Sequence, residues 1–299
     1  MKIILFAYRN CGYECLNYLI GINKKPSLVV IPKAEDQKER IFKSVRNLAI
    51  TSNVNFLEVE KDSPDLKKEI ASIKPDYGFS CYFPYIIRPE ILNLFDKGTF
   101  NIHGAILPDY RGALSPVWTI INDEVKSGAT IHQMTESIDC GDIIESISCD
   151  VDEKETGFSL YQKISKLSVS LFIKYFHFAL EGKEISGASQ LPDTGNYYSR
   201  DIPFDGRIDW SWGSRKIYNF CRAMYFPPFK SAIFFFNGSE FEVDSLEITS
   251  KKSDKKAGEL VSIDQSGITL ATVDFDIFID SQSIDMKQFR SSTTKIQTN

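Results

Sequence analysis

Long apolar runs are missing from the 299 residues: no stretch approaches the roughly 20 consecutive apolar residues that cross a bilayer. The opening MKIILFAYRN holds an apolar run too short for a secretory core, and no small-residue cleavage site follows it. Paired cysteine spacing is missing too. Cys11, Cys15, Cys81, Cys140, Cys149 and Cys221 form no CxxC pattern, which argues against a zinc site or a disulfide frame and reads as free thiols in a reducing cytosol. Positive charge is not in excess: the net charge of −5 argues against a broad grip on nucleic acid or an anionic membrane. There is no GxGxxG either. The turn after the first expected strand is Arg9-Asn10-Cys11-Gly12-Tyr13-Glu14, which disfavours a dinucleotide site and leaves Gly12 as a tight turn. No internal repeat is visible. What is present, 42% hydrophobic and 25% charged residues, suits a soluble, cytoplasmic globular chain, and the length favours two domains.

Along the first half, short apolar runs alternate with patterns of helical period. Strands are expected at 2–8, 28–31, 55–59, 77–82 and 100–103. Helices are expected at 13–20, at 36–50, from a Ser63 or Asp65 cap to 73, and at 90–95. Such alternation implies a parallel, doubly wound sheet. Two further strands, 128–136 and 143–151, flank a turn at 139–142. Thr156 is expected to cap a long helix whose Leu160, Ile164, Leu167, Leu171, Tyr175 and Phe178 form one core-packing stripe. Composition then changes at 187–200, GASQLPDTGNYYSR, which reads as a linker crossing the surface. A helix near 216–224 and β-like runs at 232–236, 241–248, 259–263 and 268–279 follow, with a polar, frayed tail from Ser291. The expected fold is α/β: a Rossmann-like, doubly wound, mostly parallel sheet in 1–187, a linker at 188–204, and a smaller β-rich, open-barrel-like domain in 205–299.

Residues 100–145, FNIHGAILPDYRGALSPVWTIINDEVKSGATIHQMTESIDCGDIIE, carry the chemistry. Asn101 and His103 stand two apart at a strand end, so the period of two turns both to one face. Ligands of open α/β sheets gather beyond the carboxyl ends of the strands. The turn at 107–112 is expected to swing the chain away from that edge, and Asp139, on a glycine-containing loop, to fold back onto it. Alone, Asn-x-His is a weak signal, because a base needs an orienting partner and an acceptor as well. His132 and His177 read as structural, and Cys140 as a small residue filling a loop.

The whole run resembles the folate-dependent formyltransferase family, whose pattern is Asn-x-His, Leu-Pro-x-Tyr-Arg-Gly, Gly-x-Thr-x-x-x-Met and Asp-x-Gly-Asp. Here these are Asn101/His103, residues 107–112, Gly128/Thr130/Met134 and Asp139/Gly141/Asp142, in order within 46 residues. The opening MKIILFAYRNCG, FSCYFPYIIRPEIL at 79–92 and GRIDWSWGSRKIYNFCRA at 206–223 are similar to sugar-nucleotide N-formyltransferases, including the module that modifies an amino-arabinose nucleotide. Two positions depart from the pattern. Ala113 follows the Arg-Gly turn where a bulky or polar residue is usual, and MYFPPFKSA at 224–232 replaces the usual Pro-x-Pro-Gly-Ala ending.

The resemblance implies acyl transfer from 10-formyltetrahydrofolate to an amine, with no metal. Asn101 would give an amide N–H to the oxyanion, a donor typically worth ~10²–10³ in rate. His103 would carry the proton from the amine to the leaving nitrogen. Asp139 would orient that ring and favour its charged form. For the pterin, the resemblance implies Tyr85, Ile86 and Ile87 with backbone at Thr135, Glu136, Ser137, Ile138 and Asp139; the first three read equally well as core cover. Methionyl-tRNA formyltransferases share the motif but need a cationic surface for tRNA, whereas from Asp201 onward 14 Asp/Glu face 12 Lys/Arg. A nucleotide-linked amino sugar fits better: a 4-amino-4,6-dideoxyhexose of the lipopolysaccharide O-antigen type, contacted by Tyr197, Tyr198, Arg200, Trp210 and Arg222. Tyr198 and Trp210 also suit a core. No nucleic-acid or membrane partner is expected, and a homodimer is allowed. The rival readings are a methionyl-tRNA formyltransferase and a non-catalytic nucleotide-binding module.

Overall fold

The computed structural model describes residues 1–33, 42–61, 63–191 and 194–294. The first part of the helix expected at 36–50, two positions of the expected linker and the end of the tail lie outside them. The chain forms two compact units interleaved in sequence. One comprises Met1–Ser115, Lys126–Asp150 and Tyr161–Ser199; the other comprises Pro116–Val125, Val151–Leu160 and Arg200–Asn299.

The first unit is built on strands β1 (Ile3–Ala7), β2 (Leu28–Pro32), β3 (Phe56–Val59), β4 (Tyr77–Cys81) and β5 (Thr99–His103). A two-residue strand β6 (Arg111–Gly112), then β7 (Lys126–Gln133) and β8 (Ile143–Asp150), complete the run, and the seven-stranded order is β3-β2-β1-β4-β5-β7-β8. Between the early strands lie helices α1 (Arg9–Gly21), α2 (Val45–Thr51), α3 (Pro64–Ile73) and α4 (Pro89–Leu92). β1, β2 and β4 are buried along their whole length, as strands covered on both faces must be. The first five strands pair in parallel, while β7 joins β5 antiparallel and β8 joins β7 antiparallel. For β8 the short loop 134–142 allows nothing else, since a parallel neighbour needs a crossover of about a dozen residues or more.

Gly12 is not a tight turn. It lies inside α1, where a Cβ would come within 2.8 Å of the Ala7 backbone, so glycine lets the helix close on β1. Cys11 and Cys15 on α1 and Cys81 at the end of β4 bring three thiols within 4.8 Å of one another. Hydrogen bonds from Cys15 and Cys81 lower the buried Cys11 thiol against the effect of its burial.

Helix α5 (Ser115–Ile121) precedes β7, and the long α6 (Gly157–Leu180) follows β8. Thr156 caps α6 as expected: its hydroxyl accepts from the Ser159 N–H at 3.1 Å while its own N–H donates to Ser159 Oγ at 2.9 Å. Phe172 on α6 meets Phe79 of β4 edge-on at 5.5 Å, and Phe79 packs on Phe100 of β5 at 5.9 Å. Phe100 therefore faces α6, and alternation turns Asn101 and His103 to the opposite face. Ile4, Phe6, Leu28, Val30, Ile87 and Phe95 belong to the core cluster that also takes in Leu66 and Ile70 of α3.

The second unit holds a short strand pair and a four-stranded sheet. Strand β9 (Tyr197–Tyr198) still belongs to the first unit and pairs there in parallel with β6. Helix α7 (Ser214–Met224) buries Ile217, Phe220 and Ala223. β10 (Ala232–Phe236) and β11 (Ser239–Val243) form a hairpin. Its Asn237 and Gly238 have φ of 47° and 75°, the left-handed pair that an Asn-Gly hairpin turn requires. β12 (Glu247–Ile248), β13 (Leu260–Ile263), β14 (Gly267–Leu270) and β15 (Ile277–Asp280) assemble in the order β12-β15-β14-β13. The runs expected as single strands at 241–248 and 268–279 each hold two. Asp274 splits the second by accepting N–H groups from Phe275 and from Ser214 at the start of α7, both at 2.8 Å. Residues 291–294 do not fray but end helix α8 (Met286–Thr294), whose Phe289 packs on Phe241 at 5.1 Å.

Candidate active site

β5 runs between β4 and β7, with Asn101 paired to Ser80 on one side and to His132 on the other. Asn101, His103 and His132 are thereby placed on one face before any loop is considered. The loop 134–142 folds back over them. A Cβ on Gly141 would collide with the Gln133 carbonyl oxygen, which explains the glycine of the Asp-x-Gly-Asp motif: the returning chain presses on β7. Asp139 takes a left-handed φ of 53°, and its carboxylate is buried over the strands.

That carboxylate organises the site. Oδ1 lies 3.3 Å from His132 Nε2 and accepts from Asn101 Nδ2 at 3.4 Å. Oδ2 accepts from the Gly112 N–H at 2.9 Å and lies 3.5 Å from His103 Nδ1. Burial alone would raise the Asp139 carboxyl. The charges of His103 and His132, with hydrogen bonds from His132 and the Gly112 amide, outweigh burial and hold it far below the usual carboxylate range.

The partners also assign the ring hydrogens. His103 Nε2 sits 2.7 Å from the Tyr110 carbonyl oxygen, so Nε2 carries a hydrogen and donates it; Nδ1 faces Asp139 Oδ2 at 3.5 Å, a contact that attracts when Nδ1 carries a hydrogen as well. His132 Nδ1 sits 2.9 Å from the Gln133 carbonyl, so Nδ1 carries a hydrogen, while Nε2 stands between Asp139 Oδ1 at 3.3 Å and the Asn101 amide at 3.1 Å. His132, expected as structural, thus stands in the site beside Asn101 and Asp139. His177 hydrogen-bonds Tyr18 at 2.6 Å, in agreement with a packing role.

The turn at 107–112 does not swing away from the sheet edge. Thr130 of β7 anchors its start, donating to the Ala105 carbonyl at 2.7 Å and accepting the Leu107 N–H at 3.1 Å. Tyr110, at φ 57°, then points its carbonyl at His103, and Gly112 points its N–H at Asp139.

Tyr85, Ile86 and Ile87 line a cleft of about 340 Å³ with Val59, Leu66 and Phe83. Ile87 is buried in the core while Ile86 is 61% exposed, so the segment is both core cover and cleft wall. Met134, just before Thr135, packs on the same core cluster as Tyr85. Thr135, Glu136, Ser137 and Ile138 are exposed on the loop leading to Asp139.

Of the residues expected to hold acceptor, Tyr198 stacks on Tyr110 with ring centroids 5.3 Å apart, and Tyr197 beside it is 60% exposed. Arg200 is exposed in the second unit. Trp210 packs edge-on against Phe234 at 5.6 Å. Arg222 is buried in the second unit and donates to the Glu155 carbonyl at 2.8 Å and to Asn219 Oδ1 at 3.0 Å. Its donors hold a loop, which corrects its expected role as a substrate contact.

The formyl transferase model matches residues 21–175, and the formyl transferase C-terminal domain matches 203–293. The chain belongs to the formyl transferase family. It is an enzyme that transfers formyl groups. Among curated relatives, it is 32% identical over 248 residues to the GDP-perosamine N-formyltransferase of Brucella melitensis biotype 1, covering 83% of this chain and 93% of that one. It is 35% identical over 230 residues to the bifunctional polymyxin resistance protein ArnA of Wigglesworthia glossinidia brevipalpis; that match covers 76% of this chain and only 35% of the bifunctional protein. Its fold is shared with an N-formyltransferase from Helicobacter canadensis, solved with folinic acid and dTDP-3-aminofucose: TM-score 0.73, 22% identity, 94% of this chain and 99% of that one. A 4-N formyltransferase from Francisella tularensis superposes with TM-score 0.63 at 27% identity, over 81% of this formyltransferase and 96% of that one. Among the described residues, no helix is long and apolar enough to cross a membrane.

Proposed function

We propose that this formyltransferase moves the formyl group of 10-formyltetrahydrofolate onto the amine of a nucleotide-linked amino sugar, with a 4-amino-4,6-dideoxyhexose as the favoured acceptor. The observation that carries the reading is the Asp139 carboxylate, held between Asn101, His103, His132 and the Gly112 amide. The names of the relatives in Brucella and Francisella support the acceptor class.

In this reading the attacking amine must lose a proton, the formyl oxygen gains negative charge, and the leaving nitrogen must gain a proton. Asn101 serves the oxygen. Its 3.4 Å contact to Asp139 is longer than a normal N–H···O bond, so that N–H is the one to pass to the oxyanion while the bond to His132 holds the amide in place. His103 carries the proton, exchanging one of its two present partners for the reacting nitrogen. Asp139 keeps the ring oriented and balances its charge when protonated. The folate supplies the activated formyl group. Tyr85, Ile86 and Ile87 and the backbone at Thr135, Glu136, Ser137, Ile138 and Asp139 are the groups we assign to its pterin, and the cleft beside Ile86 falls within the size of small-molecule sites. Tyr197, Tyr198 and Arg200 are the acceptor contacts we retain.

Release of tetrahydrofolate, measured against GDP-perosamine, dTDP-3-aminofucose, a UDP-linked amino-arabinose and initiator tRNA, tests the reading. Turnover with at least one sugar nucleotide and none with tRNA is expected. Turnover with tRNA alone overturns the acceptor class, and no turnover with any acceptor favours a binding module.

A further inference from the structure

The segment 187–199, expected as a linker crossing the surface, is instead tied to both loops of the site. Ala188 exchanges backbone hydrogen bonds with Ile143 at 2.9 Å in each direction. Ser189 Oγ donates to Asp142 Oδ1 at 2.8 Å. Further along, the Arg111 N–H donates to the Asn196 carbonyl and the Ala113 N–H to the Tyr198 carbonyl, both at 2.9 Å. Between these anchors stands Gln190. Its amide nitrogen donates twice, to the carbonyls of Asp139 and Gly141, each at 2.8 Å. Its amide oxygen accepts from Arg111, at 2.5 Å from Nη2 and 3.2 Å from Nε.

We infer that Gln190, oriented by Arg111, is the positioning residue that holds the Asp139 carboxylate against His103. A guanidinium has only donors, so it allows one orientation of the Gln190 amide, oxygen toward Arg111. Both N–H groups are thereby directed at the two carbonyls that bracket Cys140. Asp139 is left-handed and is not glycine, so its backbone needs an outside hold to stay where its carboxylate reaches the ring. Gln190 supplies that hold at the carbonyl of Asp139 itself. Arg111 in turn lies between Tyr110, whose carbonyl accepts from His103, and Gly112, whose N–H donates to Asp139. The contacts close into a ring: His103, Tyr110, Arg111, Gln190, Asp139 and back to His103. A shift at Gln190 thus moves the carboxylate relative to the base without touching either.

This inference rests on the catalytic role proposed for Asp139, so Asp139→Asn is measured beside it. Gln190→Met keeps the side-chain length and removes the donors and the amide acceptor; Gln190→Glu keeps the acceptor for Arg111 but sets a carboxylate against two carbonyls. With 10-formyltetrahydrofolate and the fastest acceptor of the panel above, both variants are expected to lose roughly 10- to 100-fold in kcat, as a catalytic group misplaced by about an ångström does. KM for both substrates and 5-formyltetrahydrofolate binding by calorimetry should stay within about threefold, and Gln190→Glu should be no better than Gln190→Met. In the Gln190→Met background, Arg111→Ala should cost less than it does alone, because the two act in series. Wild-type kcat per folded enzyme in Gln190→Met, with Asp139→Asn impaired, overturns the positioning role alone. Near-normal kcat in Asp139→Asn overturns that role and the catalytic reading together.

Discussion

Two histidines face one carboxylate in this site, and the hydrogen that each must carry gives them different work. His103 has an Nδ1 turned to Asp139 and an Nε2–H held by a single carbonyl, an arrangement that can trade a partner for a reacting nitrogen. His103→Ala should lower kcat by roughly two to four orders of magnitude, the range for a lost general acid–base, with an unchanged circular dichroism spectrum. Wild-type turnover would remove His103 from the mechanism. His132 has an Nδ1–H fixed by Gln133 and an Nε2 set between Asn101 and Asp139, so in the proposed reaction it holds the amide and the carboxylate in place. His132→Phe keeps a ring of similar width but gives up the Nε2 contact to Asn101; kcat should fall by about tenfold, in line with a weakened oxyanion donor, and His132→Gln should recover much of it. Equal rates in all three enzymes would leave His132 a packing residue. Asn101, His103 and Asp139 were legible because alternation along one strand and a four-part motif point to them. His132 was not: its partner is chosen by the antiparallel register that sets Asn101 opposite His132. Gln190 was hidden by a sequence separation of 51 from Asp139.

Elements with strong periodicity read well, and those defined by what they touch did not. The doubly wound order follows from alternating apolar runs and helical patterns, and the Thr156 cap of α6 from a local hydroxyl. The turn at 107–112 looks like an exit from the sheet because Pro, Asp and Gly cluster there. Thr130, on a different strand, is what bends it back over His103. Arg222 shows the same limit on α7. An arginine on a helix near aromatic residues looks like a phosphate contact, yet its burial and its bonds to Glu155 and Asn219 make it a brace for residues 152–155. Arg222→Ala leaves a buried carbonyl without its donor, a loss of about 1–3 kcal/mol. The melting temperature should fall while KM for the acceptor stays put in the folded enzyme. A raised KM with an unchanged melting temperature would return Arg222 to the substrate.

At the scale of the whole molecule, the division into units was the least legible feature. Composition suggests one boundary near 188, but the first unit loses 116–125 and 151–160 to the second and keeps the strap to Ser199. Long-range contacts decide such membership, and no local signal marks them. The same contacts set how the molecule responds to acid. Asp123 and Glu153 are held low by hydrogen bonds from Arg215, and Asp139 by its histidines and the Gly112 amide, against its burial. Asp274 can be tested most directly. Burial raises its carboxyl, but the N–H groups of Ser214 and Phe275 and the Thr272 hydroxyl outweigh that and bring it down to about 2. The unfolded chain would titrate this carboxyl near 3.9. A group depressed on folding stabilises the native state above its unfolded value, and that contribution is lost as pH falls through the folded one. Asp274→Asn keeps an acceptor for Ser214 but removes the charge, so its melting temperature should lie below wild type by a constant gap above about pH 5. The gap should close between about pH 4 and pH 2, as the native carboxyl takes up its proton. A gap of the same size at pH 7 and at pH 2 would mean that shape, and not charge, is what Asp274 gives to the start of α7.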